Sequence, residues 1–321
     1  MLNEIKITDI ENVQIGNAES SEKGTGVTTI IFEKGASCGL DIRGGGPASR
    51  ESGLLNPLAA AEKIHAVVLS GGSAFGLSSA EGVMQYLKEK GVGFETGIVP
   101  VPLVCSSCIF DLGVGDKNAF PDKEMGYLAC LNAEKGNYKD GNFGAGQGAT
   151  VGKLMGRDFM MKSGVGSYAV SLGELKVGAV VVVNALGDVY DESGNIICGM
   201  LSDDKNSFRN SEKTLYELFL KTQNLFAQNT TIGAIITNAD LDKTKMNKVA
   251  SMAHNGMARA INPVHTSADG DSIYALSVGN VAASSDAVGT LAAFVMQKAI
   301  INAVISSEPA YGLKCARDIE R

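Results

Sequence analysis

The sequence predicts a mixed α/β protein built from helix-covered sheets. Three observations carry that prediction. Short continuous apolar runs at 64–69, 177–184 and 231–237 have the length and β-branched content of buried strands. Other stretches, at 77–90, 240–260 and 285–305, place apolar residues at helical spacing. Strands and helices alternate without a regular βαβ repeat, and no linker is long enough to separate two domains. A single domain over residues 1–321 is the expectation.

Taken in order, Ile64 to Leu69 (IHAVVL) reads as a strand, Ser70 to Gly76 as a turn, and Leu77 to Lys90 as a helix closed by Gly91. The middle of the chain is glycine-rich and poor in helix signals. Val177 to Asn184 (VGAVVVVN) is a second buried strand; Leu186-Gly187-Asp188 is a hairpin signal, with Val189 to Asp191 starting the return strand. Ser202 to Lys213 is polar without an apolar period, which predicts a solvated loop. Leu215, Leu218 and Phe219 beyond it suit a short docked helix. Thr231 to Thr237 (TIGAIIT) is a strand, and Asp240 is the expected N-cap of a helix running through Ala260. Val249, Met252, Ala253, Met257 and Ala260 share one face of that helix, and Pro263 stops it. Ser272 to Ser277 is a strand, and Ser285 to Ile305 is a last helix, apolar around much of its circumference and so well buried.

Composition narrows the function. The chain has 321 residues, 45% hydrophobic and 20% charged, ample for a sizeable core. Acidic residues outnumber basic ones 35 to 28, giving a net charge of −7 with no Lys/Arg-rich block. That argues against nucleic acid as a partner and disfavours an anionic membrane surface, so neither is expected. No apolar run approaches the ~18–20 residues that span a bilayer, and the opening MLNEIKITDI lacks a secretory pattern. A cytoplasmic protein is expected. The six cysteines are irregularly spaced, Cys105-Ser-Ser-Cys108 has no matching second pair, and the only histidines are His65, His254 and His265. Buried or idle thiols are expected, with no metal and no cofactor.

Glycine is unusually abundant, with 39 residues clustered at 44–46, 71–72 and 141–152. Tight turns and exposed backbone N–H groups are expected there. The run Gly144 to Lys153 suggests phosphate binding, yet Lys153 is followed by Leu154 where a P-loop needs Ser or Thr. No helical period follows, so a dinucleotide fingerprint fits no better. Two further fragments each support two readings. Thr230 and Thr231 open a strand, where threonine is an ordinary residue. Asp269-Gly270-Asp271 precedes a strand: the acids stand at i and i+2 and so project together, but Asp-Gly is also plain turn chemistry. If the acids share a site, their repulsion raises one pKa.

These fragments fall into blocks that resemble the DmpA-type aminopeptidases, a group including β-peptidyl aminopeptidases and endo-type nylon-oligomer hydrolases. The blocks are Asp41-Ile-Arg43-Gly-Gly, HAVVLSGGSAFGLSSAEGV (65–83), GNFGAGQGATVGK (141–153), VVVNALGDV (181–189), NTTIGAIITNADL (229–241) and HTSADGDSIYALS (265–277). Together they cover nearly the whole chain in order. The resemblance implies a four-layer αββα sandwich of the DmpA and ornithine acetyltransferase type, assembled as a homo-oligomer, with a tetramer of processed units suspected. It implies an autoproteolytic N-terminal-nucleophile hydrolase whose precursor is cut before a strand-opening Ser or Thr. That position falls on Thr230, giving an α chain of residues 1–229 and a β chain of residues 230–321. The Asn229–Thr230 junction is similar to the nylon-oligomer branch, as are Asp269 and Asp271, which stand 39 and 41 residues beyond Thr230. The family lysine and asparagine fall on Lys153 and Asn184.

The implied chemistry needs a cut. Thr230 gains its base, an α-amino group with an ordinary pKa of ~7.7–8.0, only when the bond to Asn229 is broken. In the implied scheme Asp269 and Asp271 orient the nucleophile and hold its ammonium form, Lys153 supplies a cation, and Asn184 offers an N–H to the oxyanion. The expected substrates are short peptides, amino-acid amides or esters, or amide oligomers. Two alternatives remain at this stage: an acyltransferase of the ornithine acetyltransferase type, which lacks support from a Lys-Gly-Thr motif here, and an uncleaved homologue that only binds a small ligand.

Overall fold

Apolar runs with no polar alternation form strands when both faces of a sheet are covered, and the three central runs do so here. The computed structural model describes residues 1–220 and 229–319. The strands in chain order are β1 (Leu2–Ile5), β2 (Gln14–Ser20), β3 (Thr25–Ile42), β4 (Ser49–Arg50), β5 (Ile64–Ser70), β6 (Val104–Cys108), β7 (Thr150–Val151), β8 (Met161–Lys162), β9 (Val165–Leu172), β10 (Leu175–Val182), β11 (Asp188–Tyr190), β12 (Ile196–Cys198), β13 (Ile232–Ala239), β14 (Ile261–Asn262) and β15 (Ser272–Val281). The α-helices are α1 (Ser79–Glu89), α2 (Lys123–Glu134), α3 (Ser211–Leu220), α4 (Lys243–Ala260) and α5 (Ser285–Ile305).

Ten strands form one hydrogen-bonded sheet: nine follow the path β1-β9-β10-β13-β15-β3-β5-β6-β4, and β2 pairs with β3 off that path. The 18-residue β3 serves two layers. Its first part pairs with β2 and β5, from Val27↔Ser70 to Ile31↔Ala66, and its last part pairs with β15, from Ser37↔Ser277 to Ile42↔Ser272. The register breaks between Ile31 and Ala36, where an irregularity lets the strand change direction.

Alternation along the strands builds the remaining layers. Val177, Ala179, Val181, Ile235, Ile273 and Ala275 pack with α4 and α5. Their neighbours Val180, Val182, Ile232, Ala234, Ile236, Tyr274 and Leu276 face inward, against Ile30, Phe32, Val67, Leu69 and Cys105. On the far side, Val27, Ile31, Ala66, Val68 and Val104 meet Ala80, Val83 and Leu87 of α1 and Ala129 and Cys130 of α2. The order of layers is αββα, as the resemblance implied.

Four local expectations are corrected. Leu186-Gly187-Asp188 is not a hairpin: β9 and β13 occupy both edges of β10, so the chain leaves the sheet. There β11 pairs with β12 and β14 in a separate three-stranded sheet. The polar segment 202–213 is a loop only to Asn210; α3 starts at Ser211, whose N–H and Oγ both donate to the buried Asp188 carboxylate, at 2.7 and 2.6 Å. Leu218 is buried as expected of a docked helix, while the Phe219 side chain lies outside the described residues. The N-cap of α4 is Asp242, whose side chain accepts from the Lys245 N–H at 2.8 Å; Asp240 is still bound to β15 through Val281 O. Finally, α5 is long and apolar enough to cross a bilayer, contrary to the reading of the apolar runs. It is a core helix, with Val288, Ala292, Val295, Met296, Ala299, Ile300 and Ala303 buried against the sheet and α4. All six cysteines are buried; burial pushes the Cys105 and Cys108 thiols up to about 12, which keeps this CxxC pair chemically quiet.

Candidate active site

The start of β13 lies beside the loop that enters β15. Asn229 donates its N–H to Ala268 O at 3.0 Å and accepts from the Gly270 N–H at 2.9 Å. Thr230 donates its N–H to Asn184 O at 3.0 Å, and Thr231 donates its own to Asp271 Oδ1 at 2.7 Å. Four main-chain contacts therefore hold three consecutive residues. Asn229 and Thr230 are both buried. The Thr230 hydroxyl lies against the carbonyl oxygen of Asn229. Neither polar atom of the Asn229 side chain has a partner among the described residues.

Glycine at 270 is a steric requirement. A Cβ there would stand 2.8 Å from Thr230 Oγ1 and 2.7 Å from Gly46 O. Such a contact would push the threonine off the peptide bond it faces.

Asp269 and Asp271 are both buried within this loop. Asp271 Oδ2 accepts from the His265 N–H at 3.0 Å and lies 2.8 Å from His265 Nδ1. Asp269 Oδ2 accepts from the N–H and hydroxyl of Thr266, at 3.0 and 2.5 Å. Burial, then the charge of Asp271, push the Asp269 carboxyl up to about 6, against the donors of Thr266 and Leu186. The expected mutual repulsion is present, with desolvation the larger cause.

The glycine triplet at 44–46 holds this loop. Arg43 and Gly44 donate to Asp271 O at 3.0 and 3.3 Å, Gly45 to Thr266 O at 3.3 Å, and Gly46 to Asp269 O at 2.8 Å. The N–H groups expected to be exposed are thus spent on an internal partner. A Cβ at Gly44 would stand 2.3 Å from Asp271 N, so the two segments meet backbone to backbone.

Lys153 follows the short strand β7, and its N–H donates to Leu186 O at 3.1 Å. Its Nζ donates to Asn184 Oδ1 at 2.6 Å and to Asn184 O at 3.0 Å. Asn184 O thus receives both the lysine and the Thr230 N–H, which links Lys153 to the threonine through one carbonyl. The Asn184 amide is turned the other way: Nδ2 donates to Phe110 O at 3.1 Å, while Oδ1 also accepts from the Thr150 N–H at 3.1 Å. Burial lowers the Lys153 ammonium to about 7, against the raising effect of Asp269 and Asp111.

Thr230, Asn229, Asp269, Asp271, Lys153 and Asn184 therefore stand in one connected network. Three participants were not among the predicted site residues. Gly270 was visible only as the residue between two acids. His265 stood inside a quoted block without a role. Asp111 carried no sequence signal; it is buried, accepts from the Thr25 hydroxyl at 2.7 Å and the Gly72 N–H at 2.6 Å, and burial pushes it up to about 6.

Comparison with known proteins shows the family and the fold. The model of Peptidase family S58 matches residues 5–317. An uncharacterized aminopeptidase from Mycobacterium leprae (strain TN) is 35% identical over 96% of this chain and 92% of its own length. A 6-aminohexanoate-oligomer endohydrolase from Kocuria sp. (strain KY2) is 31% identical over 92% of this chain and 84% of its own. Among solved structures, a Burkholderia sp. beta-aminopeptidase superposes with a TM-score of 0.69 at 18% identity, covering 96% of this chain and 89% of that one. The L-aminopeptidase D-Ala-esterase/amidase of Ochrobactrum anthropi, described as a variant of the Ntn hydrolase fold, gives 0.70 at 17% identity, covering 94% and 86%. At those identities the structural likeness establishes the fold, which is that of Ntn-hydrolase aminopeptidases. The family match spans almost the whole chain, and it places this protein in Peptidase family S58, as a hydrolase of amide bonds.

Proposed function

We propose that the chain is the precursor of a threonine N-terminal-nucleophile amidase that cuts itself between Asn229 and Thr230. The observation that carries this reading is the scissile carbonyl itself. Asn229 O is flanked by the Thr230 hydroxyl and accepts the Gly270 N–H at 2.9 Å. Attack of Oγ1 on the Asn229 carbonyl carbon moves negative charge onto that oxygen, where the Gly270 N–H already points. One such donor is worth about 2.7–4 kcal/mol in comparable sites. Collapse expels the Thr230 nitrogen, which takes up the proton that Oγ1 gave up on attack, and leaves an ester on Oγ1. Water then hydrolyses the ester, freeing the Asn229 carboxylate and the Thr230 α-amine.

In the mature enzyme that amine takes the hydroxyl proton as Oγ1 attacks a substrate carbonyl, then returns it to the leaving amine. Asn184 O and the Asp269–Asp271 pair are the acceptors available to the ammonium form. Lys153 supplies positive charge beside Asn184. The Asn184 amide spends one N–H on Phe110 O, and its second N–H is the one that can serve as an oxyanion donor. The Asn-Thr junction and the pair of aspartates are the machinery of the nylon-oligomer branch, and the substrates of this reading are short peptides, amino-acid amides or esters, or amide oligomers. Assembly into a homo-oligomer belongs to the same reading, and exposed Phe94, Ile98, Val99 and Val101 offer apolar surface for it. Action in the reducing cytoplasm also belongs to it, supported by six buried cysteines in a chain whose core needs no staples.

Intact mass of the expressed chain under denaturing conditions tests this. Two species, 1–229 and 230–321, are expected, together with hydrolysis of an amino-acid amide. Thr230→Ala is expected to remain a single 321-residue chain with no amidase activity. Normal splitting of that variant, or activity in an uncut chain, would sink the reading. Acyl transfer to an amine in preference to water would favour the acyltransferase alternative.

A further inference from the structure

Asp271 has its two oxygens committed in opposite directions. Oδ1 holds the Thr231 N–H at 2.7 Å, one residue past the nucleophile. Among the described residues Oδ2 is held only by His265, through its main-chain N–H at 3.0 Å and its ring Nδ1 at 2.8 Å. A carboxylate accepts, so Nδ1 is assigned as the protonated nitrogen. His265 adopts this grip in a left-handed backbone, with φ at 59°, which costs a non-glycine residue about 1–2 kcal/mol. Its Nε2 is buried with no partner among the described residues, a second unfavourable feature.

The ring is also braced from behind. His254 on α4 packs against it edge to face, with centroids 4.7 Å apart at 74°. The His254 Nε2 is 3.0 Å from Asp41 O, and Asp41 is itself paired with Arg43 at 3.0 Å. This anchors the imidazole to the end of β3, next to the glycine triplet that holds the acidic loop. An apolar side chain would fill the same volume without an orphaned nitrogen. Local strain and an unsatisfied buried nitrogen persist where the surroundings fix them for another purpose.

We propose that His265 is the positioning residue of Asp271: its ring N–H fixes the carboxylate rotamer, so that Oδ1 holds the Thr231 N–H and aims the Thr230 hydroxyl at the Asn229 carbonyl. It acts through Asp271 and touches no reacting atom. The inference rests on the self-cleavage reading and goes beyond it by assigning a residue that the comparisons leave without a role.

Two substitutions separate the donor from the backbone. Asparagine and glycine both tolerate the left-handed conformation, but only asparagine retains a short N–H donor toward Asp271. The rate of appearance of residues 230–321 by intact mass is compared for wild type, His265→Asn and His265→Gly, with thermal melting as the control for folding. Misplacement of a reacting group by about 1 Å costs roughly 10²-fold, so His265→Gly is expected to split about 10–100-fold more slowly. His265→Asn is expected to recover most of that loss, and in the matured variants kcat on an amino-acid anilide falls while KM holds. Splitting of His265→Gly at the wild-type rate overturns the role, as does equal slowing of both variants at matched melting temperature. If the glycine variant does not fold, His265→Asn decides alone: near-wild-type splitting supports the donor, and a loss as deep as that of Asp271→Ala overturns it. A wild-type chain that stays whole refutes self-cleavage itself, which distinguishes the two failures.

Discussion

Lys153 and Lys162 carry the same electrostatic burden and sit in regions built for different ends. Burial lowers each ammonium to about 7. Lys162, on β8, is completely enclosed and donates to Gly146 O at 2.9 Å, Ala149 O at 3.1 Å and Ser163 O. All three are fixed main-chain carbonyls, so the lysine staples the glycine-rich segment onto the core. Lys153 instead donates to a side-chain amide and to the one carbonyl that also receives the Thr230 N–H. It faces Asp269, which raises its pKa where burial lowers it. A shifted pKa therefore marks desolvation in both regions. What separates a structural lysine from a working one is whether its partners touch the bond to be broken.

The largest effects should split along that line. Lys153→Met is expected to slow maturation by about 10²–10³-fold, the scale of a lost charge-stabilising group. Its cost in stability is small, because the folded state disfavours that charge. Lys162→Met does the reverse: Gly146 O and Ala149 O keep the N–H groups of Ala149 and Ser163, but Ser163 O loses its buried donor, a cost of about 1–3 kcal/mol, while the folded fraction matures at close to the normal rate. Urea unfolding and intact-mass time courses on the two variants check both arms. A Lys162→Met chain that is fully stable but slow to split would break the comparison.

The pH dependence follows from the directions of the shifts. Asp269, raised to about 6, must ionise to orient the nucleophile; Lys153, lowered to about 7, must keep its proton to act as a cation. Maturation is expected to peak between about 6 and 7 and to fall on both sides. Lys153→Met should remove the alkaline limb and leave the acid one. Stability moves differently. A lysine depressed from ~10.4 contributes stability that is present above that value and lost as pH falls through about 7, whereas the raised Asp269 contributes stability lost as pH rises through about 6. Lys162→Met should thus weaken the first of these losses of stability, seen as a flatter dependence of melting temperature on pH between about 7 and ~10.4. A variant that melts with the wild-type pH slope would show that Lys162 is not the group being titrated.

The legible part of this molecule was the part written in short-range order. The apolar runs of β5, β10 and β13 declared buried strands, while the i, i+2 spacing of the two aspartates allowed a shared site or a plain turn, and the resemblance chose between them. Lys153 and Asn184 were legible only through a resemblance, since a lone lysine after glycines has several chemistries. The misread turn at 186–188 failed for a long-range reason: nothing near it shows that β9 and β13 already flank β10. The glycine triplet failed similarly, because its N–H groups look free until the acidic loop, more than two hundred residues later in sequence, is laid against them. Asp111 was invisible. It lies between Phe110 and Leu112 without a pattern, and its partners Thr25 and Gly72 stand 86 and 39 residues away.

Asp111 also offers the finest test of the comparison, because its charge raises both lysines. Asp111→Asn keeps the shape and removes the charge. Asparagine has one acceptor for two donors, the Thr25 hydroxyl and the Gly72 N–H, so a loss of about 1 kcal/mol is expected in urea unfolding. Without the carboxylate the Lys153 ammonium loses its proton more readily, and the alkaline limb of maturation should move to lower pH by less than about one unit. The loss of stability assigned to Lys162 should move in the same direction. Repeating the maturation profile in Asp111→Asn combined with Lys162→Met separates the two. If the limb moves equally in both backgrounds, Asp111 acts on the site through Lys153. If the movement vanishes with Lys162 gone, the staple and the site are electrostatically one unit, and the division drawn between the two lysines fails.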